Sequence, residues 1–326
     1  MSLRKLSEKN QNKMKTLLLI DAHAMIHRAF HALPKEFISR KGIPTNAIYG
    51  FFLMLQKVIS DFKPTHIAVC FDTPKPTFRK KLFKDYQGKR PPMDDTLKPQ
   101  IPIIEEMLND GKIATLKKPG FEADDVIGTL ANDYRKEFDR ILILSGDRDL
   151  LQLINNKVFM ITPKRGVSDF TLYDEEIVKE KFGVSPKKIP DYKALAGDSS
   201  DNYNTARGIG PKTATKLLHQ FKTIENLLKN SKQIENEKWK KIIEEHKDQI
   251  ELFKKIATIV KNLDLDHDIN SLEYNGFDDK MKKQLNELDL HSLLKKLYNK
   301  INPNNIKEKV KEKKTNSQPK DQINLF

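Results

Sequence analysis

The stretch LLLIDAHAMIHRAFHAL, residues 17–33, changes period at Asp21. Leu17–Ile20 is a continuous apolar run that reads as a strand buried on both faces, and from Ala24 to Leu33 the apolar positions recur at helical spacing. A strand of that kind feeding directly into a helix is the unit from which a parallel sheet is built. The unit repeats. Strands are predicted near Ile67–Phe71, Lys112–Leu116, Ile141–Leu144 and Val158–Ile161, with helices at Ala47–Phe62 and Asp124–Lys136 between them. The predicted fold is α/β: a mainly parallel central sheet with helices on both faces, over residues 15–187.

Strand signals stop beyond Lys187. Helical patterns at Lys188–Ala196, Pro211–Phe221, Ile224–Lys229 and between Lys238 and Lys261 predict a smaller helical domain over 188–300. Residues 1–14 read as a polar N-terminal extension. Residues 301–326 form a tail rich in Lys, Glu and Asn that cannot bury enough apolar surface to fold alone.

Lys and Arg together number 59 against 45 Asp and Glu, a formal net charge of +14. A basic surface favours nucleic acid or an anionic membrane as partner. No apolar stretch of the sequence approaches the roughly 20 residues of a membrane span. Cys70 is the single cysteine, which excludes an intramolecular disulfide and suits a reducing cytoplasm.

Against this basic background the acids are placed selectively. Asp21 and Asp72 each end an apolar run, Glu122, Asp124 and Asp125 stand in GFEADDVIG, Asp147 and Asp149 in ILILSGDRDL, and Asp198 and Asp201 in ALAGDSSDN. Any one aspartate between strand and helix is an ordinary N-cap. As a set they are different, because residues past strand ends line one crevice in an open α/β sheet. Carboxylates gathered there repel unless cations stand between them, and all-oxygen donors without cysteine select Mg²⁺ or Mn²⁺ over zinc. Two-metal phosphoryl hydrolysis uses such a cradle. His23, His27 and His31 share a helix face, but nothing else in the sequence completes a transition-metal site around them, and they read as ordinary histidines.

Between Asp72 and the helix near Ile101 lies TFRKKLFKDYQGKRPPM, residues 77–93, in which Arg79, Lys80, Lys81, Lys84, Lys89 and Arg90 alternate with Phe78, Phe83 and Tyr86. Cations neutralise phosphates and aromatic faces stack on unpaired bases, which makes this a candidate single-strand element. In RGIGPKTATKLL, residues 207–218, Gly208 and Gly210 turn into a helix that starts at Pro211 and carries Lys212 and Lys216. Backbone amides at such a start attract phosphate, as in a helix-hairpin-helix.

Taken in order, LLLIDAHAMIHRAFHAL, FDTPKPTFRKKLFKDYQGKRPPM, GFEADDVIGTLA, SGDRDLLQL and LAGDSSDN resemble the bacterial 5′-nuclease family, the N-terminal part of DNA polymerase I and its stand-alone flap-endonuclease form. The resemblance covers about residues 15–298. It implies a PIN-like nuclease domain followed by a helix-hairpin-helix domain, and Mg²⁺-dependent cutting of phosphodiesters at 5′ flaps, nicks and RNA-primed junctions by two ions, with Mn²⁺ as substitute. By resemblance Asp21, Asp72, Glu122, Asp124, Asp125, Asp147, Asp149, Asp198 and Asp201 are metal-site acids. Arg28, Tyr86 and Arg90 match catalytic positions, residues 78–100 match the arch that passes a 5′ strand, and the Gly208–Gly210 hairpin matches a duplex grip associated with K⁺.

Two departures stand out. Gln87 occupies the position of a family lysine, for which Lys89 is the available substitute, and YNTAR, residues 203–207, replaces a Pro-Gly turn. The terminal QINLF resembles a sliding-clamp peptide, with Gln322 hydrogen bonding at a pocket edge while Leu325 and Phe326 fill it. The expected setting is cytoplasmic, at the nucleoid. A weakly catalytic junction-binding protein that recruits partners through this tail is the alternative, and a phosphatase using Asp147 as nucleophile leaves the basic segment unexplained.

Overall fold

A computed structural model of the protein describes residues 14–203 and 208–298. The N-terminal extension, most of the YNTAR stretch and the QINLF tail therefore lie outside the described residues.

The chain opens with β1 (Thr16–Asp21), α1 (Ala22–Ala32), α2 (Asn46–Phe62) and β2 (His66–Cys70), then a short α3 (Phe78–Leu82), α4 (Gln100–Asp110) and β3 (Ala114–Leu116). It continues through α5 (Ala123–Asp133), β4 (Arg140–Leu144) and the hairpin of β5 (Val158–Arg165) and β6 (Asp169–Tyr173). Six strands form one sheet in the order β3-β2-β1-β4-β5-β6. The first five in that order run parallel, and β6 returns antiparallel on β5. Leu19 pairs with Ala68 on one side and Ile143 on the other, which fixes β1 at the centre.

Alternate residues of the central strands point to opposite layers, as the pleat requires. Leu18, Ile20, Leu142 and Leu144 face a core built by α1, α2 and α4. Leu17, Leu19, Ile141 and Ile143 face a second core built first by Val126, Ile127 and Leu130 of α5. Each leucine or isoleucine so buried contributes about 1.5–3 kcal/mol, which is why the wholly apolar runs became the central strands.

After β6 the helices α6 (Glu175–Phe182), α7 (Ile189–Ala196), α8 (Pro211–Phe221), α9 (Ile224–Lys229), α10 (Glu237–Glu245) and α11 (Lys247–Ala257) extend the α5-side core without a break. The last two, α12 (Met281–Glu287) and α13 (His291–Tyr298), do not stay with them. Met281, Leu285 and Leu293 pack into the opposite core. The described helices from α6 to α11 thus close one face of the sheet, and α12 and α13 return to the other.

Candidate active site

Strand order runs outward in both directions from β1, so the C-terminal ends of β1 and β4 flank the point where an open α/β sheet leaves a crevice. Asp21 ends β1 and caps α1, accepting from Ala24 N–H at 3.0 Å. Its other oxygen accepts from the Ser145 hydroxyl at 2.7 Å, just past β4. Asp72 follows β2 and accepts from Ala123 N–H at 2.7 Å, tying it to the start of α5. Glu122 and Asp124 come from that same start, and Asp147 and Asp149 from the turn after β4. These six acids line one cleft of about 620 Å³ together with Tyr86, Gln87 and Arg90.

The cleft is electrostatically loaded. Asp21 is pushed up to about 7 by burial and by the charges of Asp72 and Asp147. Glu122 is also pushed up to about 7, by burial above all, although Arg79 pulls the other way and the hydroxyls of Thr77 and Tyr86 each donate to it at 3.1 Å. Asp124 rises well above the usual carboxylate range through burial and through Asp147, Asp21, Asp149 and Glu122. Carboxyls that raise one another in this way are what a divalent cation relieves, and every donor is a hard oxygen. Among the described residues no three acids converge closely enough to hold an ion as they stand. The donor set and its charge suit such an ion; a finished cage is not present.

The remaining pair is adjacent. Asp198 and Asp201 lie on the loop after α7, where Asp198 and Tyr203 pair backbone to backbone at 2.8 and 3.0 Å. Asp201 accepts from Arg90 at 3.0 Å. Between this loop and the first group stands Lys193 of α7, buried and ion-paired with both Asp149 and Asp198. Burial pushes Asp149 up to about 7 against the pull of Lys193, while the same lysine holds Asp198 below its usual value despite burial. Nothing in the sequence reading marked Lys193; its one signal is a lone cation inside the apolar run of α7.

Three of the expected site residues make contacts of their own outside the lining of this cleft. Asp125 is fully buried and receives a bidentate fork from Arg79 at 2.6 and 2.8 Å, with Val260 N–H donating at 2.9 Å. Both of its oxygens are thus engaged within the protein. Arg79 itself is 3% exposed and also donates to the Ile256 and Thr258 carbonyls at 2.7 and 3.1 Å. Arg28 turns away from the cleft and donates to the Lys164 and Gly166 carbonyls in the β5–β6 turn, at 3.1 and 3.2 Å.

Tyr86 is buried with its hydroxyl on Glu122, and its carbonyl accepts from Lys80 at 2.9 Å. Gln87 adopts a φ of 55° and donates its N–H to the Asp201 carbonyl at 3.0 Å, so the basic segment is fastened over the cleft there. Lys81, Lys84 and Lys89 are exposed on that segment, and Lys89 does not line the cleft. His23 lies at the cleft rim, where Nδ1 accepts from Asp72 N–H at 3.3 Å; that leaves it no proton for the Asp72 carboxylate 3.5 Å away. His27 and His31 stack on each other at 6.4 Å.

On the helical side, Gly208 has φ +119°, and a Cβ there would come within 2.9 Å of Ile242, so only glycine makes this turn easily. Gly210 then caps α8, with Lys212 and Lys216 exposed along it.

Comparison with known proteins agrees with this geometry. Residues 16–183 match the family model described as 5′-3′ exonuclease, N-terminal resolvase-like domain, and residues 184–280 match the 5′-3′ exonuclease, C-terminal SAM fold. The 5′-3′ exonuclease of Aquifex aeolicus is 41% identical over 289 residues, 87% of this chain and 96% of that protein. DNA polymerase I of Bacillus subtilis is 40% identical over 284 residues, 87% of this chain but 32% of that enzyme. The chain thus spans about a third of that polymerase's length. A flap endonuclease of bacteriophage T5, solved as a pseudo-enzyme-product complex with DNA and metal ions, superimposes with a TM-score of 0.63 at 18% identity, covering 74% of this chain and 89% of that one. At that identity the likeness is one of fold. With both of its family regions matched in order, this chain belongs to the 5′-3′ exonuclease family.

Proposed function

We propose that the protein is a structure-specific 5′ nuclease, acting as 5′-3′ exonuclease and flap endonuclease on 5′ flaps, nicks and RNA-primed junctions in replication and repair. The observation that carries this reading is the cleft in which Asp21, Asp72, Glu122, Asp124, Asp147 and Asp149 meet beneath a basic, aromatic segment. A cleft that concentrates negative charge has no use for a polyanion unless cations mediate, and the family places such chemistry on DNA. The T5 relative is described with DNA and metal ions, which supports the same pairing here.

In this reading Asp21, Asp72, Glu122, Asp124 and Asp147 hold divalent cations on one side, and Asp149, Asp198 and Asp201 on the other. Mg²⁺ is the natural ion and Mn²⁺ its substitute. Bound there, such ions supply Lewis acidity and ionise the attacking water. Arg90, half exposed beside Asp201, contacts the phosphate from the opposite wall. Tyr86 fixes the Glu122 carboxylate, and the lysines of the basic segment guide the 5′ strand. The Gly208–Gly210 turn and the exposed Lys212 and Lys216 hold the duplex backbone, with K⁺ at the turn. The QINLF peptide, outside the described residues, binds a sliding clamp through Gln322, Leu325 and Phe326, and the protein works in the cytoplasm at the nucleoid.

The test is a pair of conservative substitutions. Asp124→Asn and Asp147→Asn each lower flap cleavage by at least ~100-fold, the size of effect seen when one transition-state charge stabiliser is removed, while flap binding measured in EDTA stays within a few-fold of wild type. Cleavage that survives both substitutions rejects the assignment.

A further inference from the structure

Tyr203 closes the acidic loop, pairing backbone to backbone with Asp198. It is 1% exposed and its hydroxyl has no hydrogen-bond partner. A buried polar atom left unpaired calls for an explanation, and the ring supplies one. It stacks on Phe253 of α11 with centroids 4.8 Å apart and planes 25° from parallel. Phe253 in turn meets the edge of Phe83, on the basic segment, at 5.5 Å and 70°. Three aromatic rings therefore run from the basic segment through α11 to the loop of Asp198 and Asp201.

Two of these elements, the basic segment and the acidic loop, are also tied by polar contacts beside the stack. Asn202, with φ 60°, donates to the Asp85 carbonyl at 2.9 Å, and Gln87 N–H donates to the Asp201 carbonyl at 3.0 Å. The backbone of Tyr203 closes the loop on Asp198 in both directions, at 2.8 and 3.0 Å. Moving the ring would move the carboxylates at both ends of the loop, because the loop has no other apolar anchor among the described residues.

We propose that Tyr203 is a positioning residue for Asp198 and Asp201, and that the Phe83–Phe253–Tyr203 stack is the path by which seating of the basic segment sets the place of that carboxylate pair. The inference rests on the nuclease reading, in which the pair holds a divalent cation. The ring does this work and the hydroxyl does not, since the hydroxyl bonds to nothing. Seating the basic segment and completing the cation site are in this way one event.

The test reads cation binding directly. Mn²⁺ binding to the full-length protein is measured from the electron paramagnetic resonance of the free ion, for wild type, Tyr203→Ala, Tyr203→Phe, Phe253→Leu and Phe83→Ala. The expected result is Mn²⁺ binding weakened at least fivefold in Tyr203→Ala and Phe83→Ala, with Tyr203→Phe restored to within twofold of wild type. Phe83→Ala is decisive because the ring contact of Phe83 is with Phe253 of α11, and a ring with only a local packing role there would leave Mn²⁺ binding alone. Should Tyr203→Ala fail to fold, Phe83→Ala and Phe253→Leu decide the matter. Wild-type Mn²⁺ affinity in both of those variants overturns the inference. A wild-type protein that binds Mn²⁺ yet never cuts a flap in Mg²⁺ overturns the nuclease reading instead.

Discussion

Arg79 and Asp125, on different elements, close a two-pronged ion pair at 2.6 and 2.8 Å with almost no solvent access to either. The guanidinium also reaches the carbonyls at the end of α11, and lies 3.3 Å from Glu122 in the cleft. One side chain thus joins the root of the basic segment, the start of α5 and the end of α11. Removing either partner strands a buried charge. Asp125→Ala and Arg79→Met are each expected to destabilise the protein by about 3–5 kcal/mol, read as a lower midpoint in urea. Arg79→Lys does not rescue, because a point charge cannot make the fork. Stabilities within about 1 kcal/mol of wild type would contradict a structural role for the pair and favour Asp125 as a cation ligand.

Lys193 gives the second prediction. It supplies positive charge between Asp149 and Asp198. Lys193→Met leaves both carboxylates uncompensated, so the protein without divalent cation loses about 3 kcal/mol. Because an added ion then takes over the missing charge, Mg²⁺ raises the melting temperature of this variant more than that of wild type. Equal Mg²⁺ shifts in the two proteins contradict the prediction.

Proton linkage gives the third. Asp21, Glu122 and Asp149 hold their protons to about pH 7 in the folded protein, against ordinary values of 3.8 for Asp and 4.5 for Glu. Between those limits the unfolded chain has released protons that the folded chain keeps, so these groups lose stability as pH rises toward 7, and the loss is complete above it. Cation binding displaces the same protons. The Mg²⁺-induced rise in melting temperature is therefore small near pH 5 and grows to a plateau above about pH 7.5. A shift of the same size at both ends of that range shows that these carboxyls do not receive the ion.

Tyr86→Phe removes only the hydroxyl that donates to Glu122 at 3.1 Å. The expected cost is about 1 kcal/mol in stability and less than a tenfold fall in kcat, since Thr77 and Arg79 still hold the carboxylate. A loss beyond a hundredfold would give the phenol a direct part in the chemistry.

The sheet was legible because its central strands are covered on both faces, which writes them as unbroken apolar runs. β6 was missed because DFTLY buries only alternate residues, Phe170 and Leu172, at the sheet edge. The acids of the cleft were legible for a related reason, as each follows a buried strand or starts a helix. Asp125 stands apart from them in the structure, paired with Arg79. Helical spacing puts it beside Glu122, but the sequence does not show that Arg79 arrives from 46 residues away to claim it. The partners of Arg28 were equally hidden, as they are carbonyls 136 and 138 residues distant. Lys193 was invisible for the opposite reason, since one lysine beside alanines and a leucine says nothing until its partners are known. Local pattern placed the elements, and long-range ion pairs decided which charges were free to act.

The central claim is that this cleft cuts DNA with divalent cations. Its most direct test is incubation of the purified protein with a 5′-labelled flap duplex, once in Mg²⁺ and once in EDTA. Cleavage at the junction is expected in Mg²⁺, with a product strand that carries a 5′-phosphate, and no product in EDTA. Tight binding of the flap with no product in Mg²⁺ or Mn²⁺ would contradict that claim.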